Sequence, residues 1–365
     1  MSTVNEAKAS LGELFFAGFS GLEMEASSME FFKKARIGGA ILFTPNYESP
    51  GQLAELTNQI QECRDSAPLW ISADQEGGRV QRFKKPFTKI PDAKTVGLTD
   101  SPKLAFELAE VCAKELRAVG VNVNFCPVAD INTNPKNPVI GARAYGSTED
   151  QVSKMVTAVV RGHLVQHVQP CVKHFPGHGD TQSDSHYALP KIDTDLDILR
   201  DREFLPFSKA FKSKCPMVMT AHVLNSKLDP KLPSTLSARA LKEILRGELR
   251  FRGLIITDDM EMKAITEHFG AEDSPRLALE AGCDILIYRS EAATRAAYEA
   301  LTHALESGKL DPTIVLEAAA RSRALKKEAL RRHEPIIIAQ LSSKIGTPEH
   351  LAIAQQVEEA AAKNA

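Results

Sequence analysis

Residues Pro170–His186 read PCVKHFPGHGDTQSDSH. The run from Pro170 to Phe175 has the apolar make-up of a short strand. It empties into a polar stretch, Lys173 to His186, that packs His174, His178, His186, Asp180, Asp184 and Lys173 into fourteen residues. Gly177 and Gly179 alternate with these polar groups, so the stretch is neither a helix nor a regular strand. It is long for a connection and too polar to bury without partners, as functional loops are. A strand that releases such a loop at its C-terminal end suits a parallel α/β architecture, and the rest of the chain decides which one.

Apolar runs alternate with helical patterns on both sides of it. Phe15–Phe19, Gly38–Thr44, Pro68–Asp74 and Val121–Val128 come before; Pro216–Val223, Gly253–Asp259 and Gly282–Tyr288 come after. Helical periodicity separates them, as where Leu53, Leu56 and Ile60 share one face, and in Ser101–Val119, Glu149–Gln166, Glu203–Lys212, Ser237–Arg250 and Glu291–Ser307. Eight such alternations imply parallel strands joined by crossovers, and eight is the number that closes a (β/α) barrel. The rival is a doubly wound open sheet, which should carry a Gly-rich phosphate loop after its first strand. GFSGLEM, from Gly18 to Met24, is not that fingerprint. The expected fold class is therefore α/β: a single-domain (β/α)8 TIM-type barrel over residues 1–310, with a C-terminal helical extension, 311–365, packed on it. Asp311-Pro312 and Thr347-Pro348-Glu349 read as helix starts within that extension.

Bulk properties exclude several function classes. The 365 residues are 43% hydrophobic and 25% charged, with a formal net charge of −2 and the two signs interspersed. No basic stripe suits a nucleic acid, and no cationic amphipathic segment suits a membrane surface. The N-terminus lacks the basic start and long apolar core of a signal peptide, and no run approaches a membrane span. The six cysteines are scattered without a CxxC pair, so buried free thiols in a cytoplasmic protein are expected.

In a parallel barrel the reacting groups lie at the C-terminal ends of the strands. Polar clusters fall there repeatedly: Asp74, Arg79 and Arg82 after the third strand, Asp130 and Arg143 after the fourth, the loop quoted above after the fifth, His222 after the sixth, and Asp258-Asp259 after the seventh. Each has a plainer reading. One aspartate of the Asp258-Asp259 pair can cap a helix beginning near Met260. Asp130 and Arg143 can form a structural pair within a long loop. His222 can be a hydrogen-bonded core histidine. Arg79 and Arg82 can be surface charges, although Gly77-Gly78 suggests a tight turn holding Arg82 over a pocket.

For the loop itself two chemistries compete. His174, His178, Asp180 and His186 are all metal-ligand types, but their spacing matches no familiar zinc motif and Lys173 repels a cation. Alternatively Asp184 and His186, two apart, share one face of an extended segment, where the carboxylate can orient the imidazole as a general acid and base.

Taken together, KHFPGHGDTQSDSH, DQEGGRVQR, GGAILF, NFCPVADIN, MTAHV and IITDDMEM resemble the family 3 glycoside hydrolases, in particular the single-domain β-N-acetylglucosaminidases of peptidoglycan recycling. The resemblance covers roughly Leu11 to Ser307. It implies a retaining mechanism with Asp258 as nucleophile, His186 as acid/base and Asp184 orienting it, an imidazole replacing one of the usual two carboxylic acids. It further implies that Asp74, Arg82, Arg143, Lys173 and His174 hold the sugar, with His222 a weaker candidate. No metal and no organic cofactor are implied. The expected partner is a small carbohydrate, a muropeptide fragment ending in N-acetylglucosamine, and neither a nucleic acid nor a membrane. A cytoplasmic monomer or weak homodimer is expected. The alternatives are a phosphorylase using the same site, a β-glucosidase or β-xylosidase of the same family, and a catalytically silent sugar-binding barrel.

Overall fold

The computed structural model describes residues 3–63, 67–181, 189–330 and 334–364. Eight parallel strands form a closed barrel: β1 (Phe15–Ala17), β2 (Gly39–Leu42), β3 (Trp70–Ala73), β4 (Val123–Asn124), β5 (Gln169–Phe175), β6 (Met217–Thr220), β7 (Leu254–Asp259) and β8 (Ile285–Tyr288). Each lies inside, or within one residue of, an apolar run read from the sequence, and each pairs with its neighbours in chain order until β8 closes on β1. The α/β barrel expected from the alternation is the fold.

Side-chain alternation explains why these runs close. Phe16, Ile41, Trp70, Cys171, Met217, Ile256, Ile285 and Ile287 fill the lumen. Their sequence neighbours Phe15, Ala17, Ala40, Ile71, Val172, Val218, Ile255 and Leu286 face the surrounding helices. With both faces apolar and buried, a strand has no reason to sit at an edge. The helices start where capping residues predict: Ser49, Ser101, Thr148 and Ser290 each accept a backbone N–H three residues on, and Asp311 accepts that of Thr313.

After the last barrel helix, Glu291–Glu306, the chain turns back beneath the barrel. Helix Pro312–Ala329 lies across the N-terminal ends of the strands. Its Lys326 ammonium, 2% exposed, bonds Glu13 at 2.6 Å and the Gly38 carbonyl at 2.7 Å, while Ser322 donates to Glu13 and accepts from the Trp70 indole. Arg321 and Arg246 both grip Asp284, which also accepts the Ile255 amide. All six cysteines are free and buried. Among the described residues no helix is long and apolar enough to cross a membrane.

Two irregularities at the opposite, C-terminal rim decide where the functional groups go. Between Val172 and Phe175, β5 advances three residues while β6 advances two. Between Ile256 and Asp259, β7 gains one residue on β8 in the same way. An extra residue re-aims the side chains that follow it. Consecutive residues, Lys173 with His174 and Asp258 with Asp259, consequently line one cavity, which strict alternation would forbid.

Candidate active site

The cavity at the C-terminal mouth measures about 570 Å³. Asp74, Arg82, Arg143, Lys173, His174 and Asp258 all line it, together with Arg79, His178 and Asp259, so the structure brings together nine residues singled out in the sequence. Asp184 and His186 lie outside the described residues.

The inner wall is a network of buried charge. Lys173, 2% exposed, places its ammonium 2.7 Å from Asp74 and 2.6 Å from Glu76. Arg82 donates to the other Asp74 oxygen at 2.9 Å, and its guanidinium lies 5.5 Å over the Phe43 ring. The turn that sends Arg82 back over Asp74 needs Gly77 and Gly78, with φ of 107° and 56°. Arg143 holds Glu76 with two bonds of 2.8 Å.

Burial alone raises the pKa of these carboxyls, but the cations outweigh it. Lys173 and Arg82 hold Asp74 well below the usual carboxylate range, and Arg143 and Lys173 take Glu76 down to about 2. Lys173 is correspondingly raised by Asp74 and Glu76 despite its burial. At neutral pH the wall thus presents fixed, fully ionised acceptors and donors, suited to polyhydroxyl recognition. Arg82 keeps one buried N–H, Nε, without a partner among the described residues.

Asp258 stands at the end of β7 and accepts the Asp259 amide at 2.8 Å. Burial pushes its pKa up, yet His174, His222, that amide and Lys173 together bring it below the ordinary aspartate value. Asp258 is therefore an ionised carboxylate in a mostly desolvated setting, the condition of a carboxylate nucleophile. Asp259 behaves oppositely: burial raises it to about 6, only partly offset by its ion pair with Arg289. Neither caps a helix through its side chain. The next helix, Lys263–Phe269, starts later, and Asp259 accepts the Glu261 amide in the intervening turn.

His174 Nδ1 lies 2.7 Å from Asp130 Oδ2, and Asp130 also accepts the His174 and His178 amides. The plainer reading of Asp130 and Arg143 as a structural pair within their loop does not hold, since Arg143 takes Glu76 and Asp130 takes His174. His222 does not line the cavity. At 1% exposure it sits behind it, bonding the Asp259 carbonyl through Nε2 and Thr235 through Nδ1. Its link to the site runs through the Asp258-Asp259 backbone and its field on Asp258.

Of the metal-ligand candidates, His186 lies outside the described residues and the other three have partners of their own. The His174 and His178 rings are 6.0 Å apart, His178 bonds Thr181, and Asp180 accepts from Thr133 and Thr194. Among the described residues no group of three ligand-type side chains converges.

Sequence reading missed Glu76 and Arg289. Glu76 stands two from Asp74 in an extended segment, the same spacing used for Asp184 and His186, and that signal was available. Arg289 directly follows β8 and was reachable by the strand-end rule.

A family model, the glycosyl hydrolase family 3 N-terminal domain, matches residues 6–325. Among curated relatives, β-hexosaminidase A of Pseudoalteromonas piscicida is 35% identical over 349 residues; the match covers 88% of this chain but 58% of that protein. A β-hexosaminidase of Pseudomonas aeruginosa is 35% identical over 296 residues, covering 80% of this chain and 86% of the relative. A family 3 β-N-acetylglucosaminidase from Paenibacillus sp. str. FPU-7 superimposes with a TM-score of 0.90 at 37% identity, covering 97% of this chain and 68% of that one. NagZ from Neisseria gonorrhoeae, solved with N-trifluoroacetyl-D-glucosamine, gives a TM-score of 0.77 at 28% identity, covering 95% and 98%. This chain belongs to glycosyl hydrolase family 3.

Proposed function

We propose that the chain is a retaining exo-β-N-acetylglucosaminidase that removes terminal, non-reducing β-linked N-acetylglucosamine. The observation that carries the reading is one cavity lined by both an ionised Asp258 and the Asp74–Lys173–Arg82 cluster. Its natural substrate is a muropeptide fragment in which N-acetylglucosamine is linked to an anhydro-muramoyl unit, and it acts in the cytoplasm as a monomer or weak homodimer. The similarity to NagZ and to curated β-hexosaminidases supports this finer reading.

The sugar is held by Asp74, Arg82, Arg143, Lys173 and His174, whose rigid contacts restrict its orientation. Asp258 attacks the anomeric carbon while His186, oriented by Asp184, protonates the departing glycosidic oxygen. Neutral His186 then takes a proton from water, which attacks the same carbon and frees Asp258 with net retention. No metal or organic cofactor takes part in these steps.

Parallel assays on aryl N-acetyl-β-glucosaminide and aryl β-glucoside test the substrate class; preference for the second sugar overturns it. A 5-fluoro N-acetylglucosaminyl fluoride, which keeps the 2-acetamido group, should leave a covalent adduct on Asp258, and an adduct elsewhere removes the assigned nucleophile. Hydrolysis in phosphate buffer should yield free sugar. Accumulation of sugar 1-phosphate would make the enzyme a phosphorylase on the same site.

A further inference from the structure

The geometry points to Asp130 as a positioning residue: its carboxylate fixes the ring tautomer of His174, so that Nε2 faces the cavity as a hydrogen-bond acceptor. This rests on the proposed sugar-binding role of His174.

Asp130 is fully buried in the loop that follows β4 and spends both oxygens on His174, near the end of β5, and on His178 just beyond it. Oδ1 accepts the His178 amide at 2.7 Å and the His174 amide at 3.3 Å, while Oδ2 lies 2.7 Å from His174 Nδ1. The two backbone N–H groups donated to it favour the ionised form of the carboxyl. An ionised carboxylate can only accept, so His174 Nδ1 must carry the hydrogen. In the neutral ring Nε2 then offers a lone pair, 3.5 Å from the Arg143 guanidinium and open to a substrate hydroxyl.

The surroundings of the couple are closed. Asn137 donates to the His178 and Gly179 carbonyls, and Gly179 packs so tightly on the Ile131 carbonyl that a Cβ there would come within 1.6 Å of it. Charged and titratable groups that face His174 or Asp130 among the described residues include Arg143, His178, Asp258 and Glu203.

Asp130→Asn separates the two duties of the carboxylate. The amide oxygen can still accept the backbone N–H groups, but its NH2 meets Nδ1 as a donor, so the neutral ring must move its hydrogen to Nε2, against Arg143. Nitrogen-15 NMR of histidine-labelled protein, with His174 assigned from His174→Asn, should show Nδ1–H in the native chain and Nε2–H in D130N. Loss of an outer positioning group typically costs about 10–100-fold. On an aryl N-acetyl-β-glucosaminide, kcat/KM of D130N should fall in that range, and D130N/H174N should be no worse than H174N alone. Nε2–H in the native chain, an unchanged tautomer in D130N, or losses that multiply in the double variant would each overturn the inference. If D130N does not fold, the native spectrum alone decides. If the native enzyme turns over no N-acetylglucosaminide, the functional proposal fails while the tautomer measurement still judges this one.

Discussion

Arg143 grips Glu76 through two 2.8 Å bonds, with the pair 67 residues apart in sequence and both side chains largely out of water. Each charge is affordable in the barrel mouth only because the other is there, and Lys173 leans on the same carboxylate. Breaking such a buried pair from one side typically costs about 3–5 kcal/mol, because a desolvated charge is left behind. Glu76→Gln should therefore lower the unfolding free energy by about that amount, measured by urea denaturation at pH 7, and should weaken sugar binding as Arg143 and Lys173 shift.

The same pair sets an acid window. Glu76 falls from 4.5 to about 2 on folding. A depressed carboxyl stabilises fully above its unfolded value and loses that contribution as pH falls through the folded one. Asp74 and Asp130 shift in the same direction. Stability should thus decline between about pH 4.5 and 2, and E76Q should show a shallower decline there. Equal slopes for native and E76Q chains would contradict the shift.

Asp258→Asn keeps the size of the side chain and the acceptor for the Asp259 amide while removing the nucleophile. Turnover should drop by about 10³-fold or more with an unchanged melting temperature. Near-normal activity would sink the assignment of Asp258.

His186→Ala removes the proposed acid. Substrates with poor leaving groups should slow by about 10²–10⁴-fold, and activated aryl glycosides far less. Equal losses on both would argue against an acid role.

At the other end of the barrel, Lys326→Met removes the cation from the buried Glu13 and should destabilise by about 3–5 kcal/mol. Adding Glu13→Leu should recover most of that loss, since an apolar pair of similar volume is often neutral or better. The kcat/KM of the folded variants should match the native value, because this pair closes the N-terminal ends of the strands, away from the cavity. A fall in kcat/KM at full folding would show coupling between the two ends.

Some of this molecule was determined by its sequence alone. The strand period, the helix caps and the number of alternations are local properties, written in side chains a few residues apart. From them came the barrel, and from the strand-end rule came Asp74, Arg82, Arg143, Lys173, His174 and Asp258 at one mouth. Tertiary structure alone decided who pairs with whom. Asp130 and Arg143 share a loop, yet barrel closure sets Arg143 against Glu76 from the segment after β3 and Asp130 against His174 from β5. One inserted residue in each of β5 and β7 turned consecutive side chains into the same cavity, and the strand pattern left His222 behind it. Register and closure depend on the packing of the whole sheet at once, so no short window of sequence contains them.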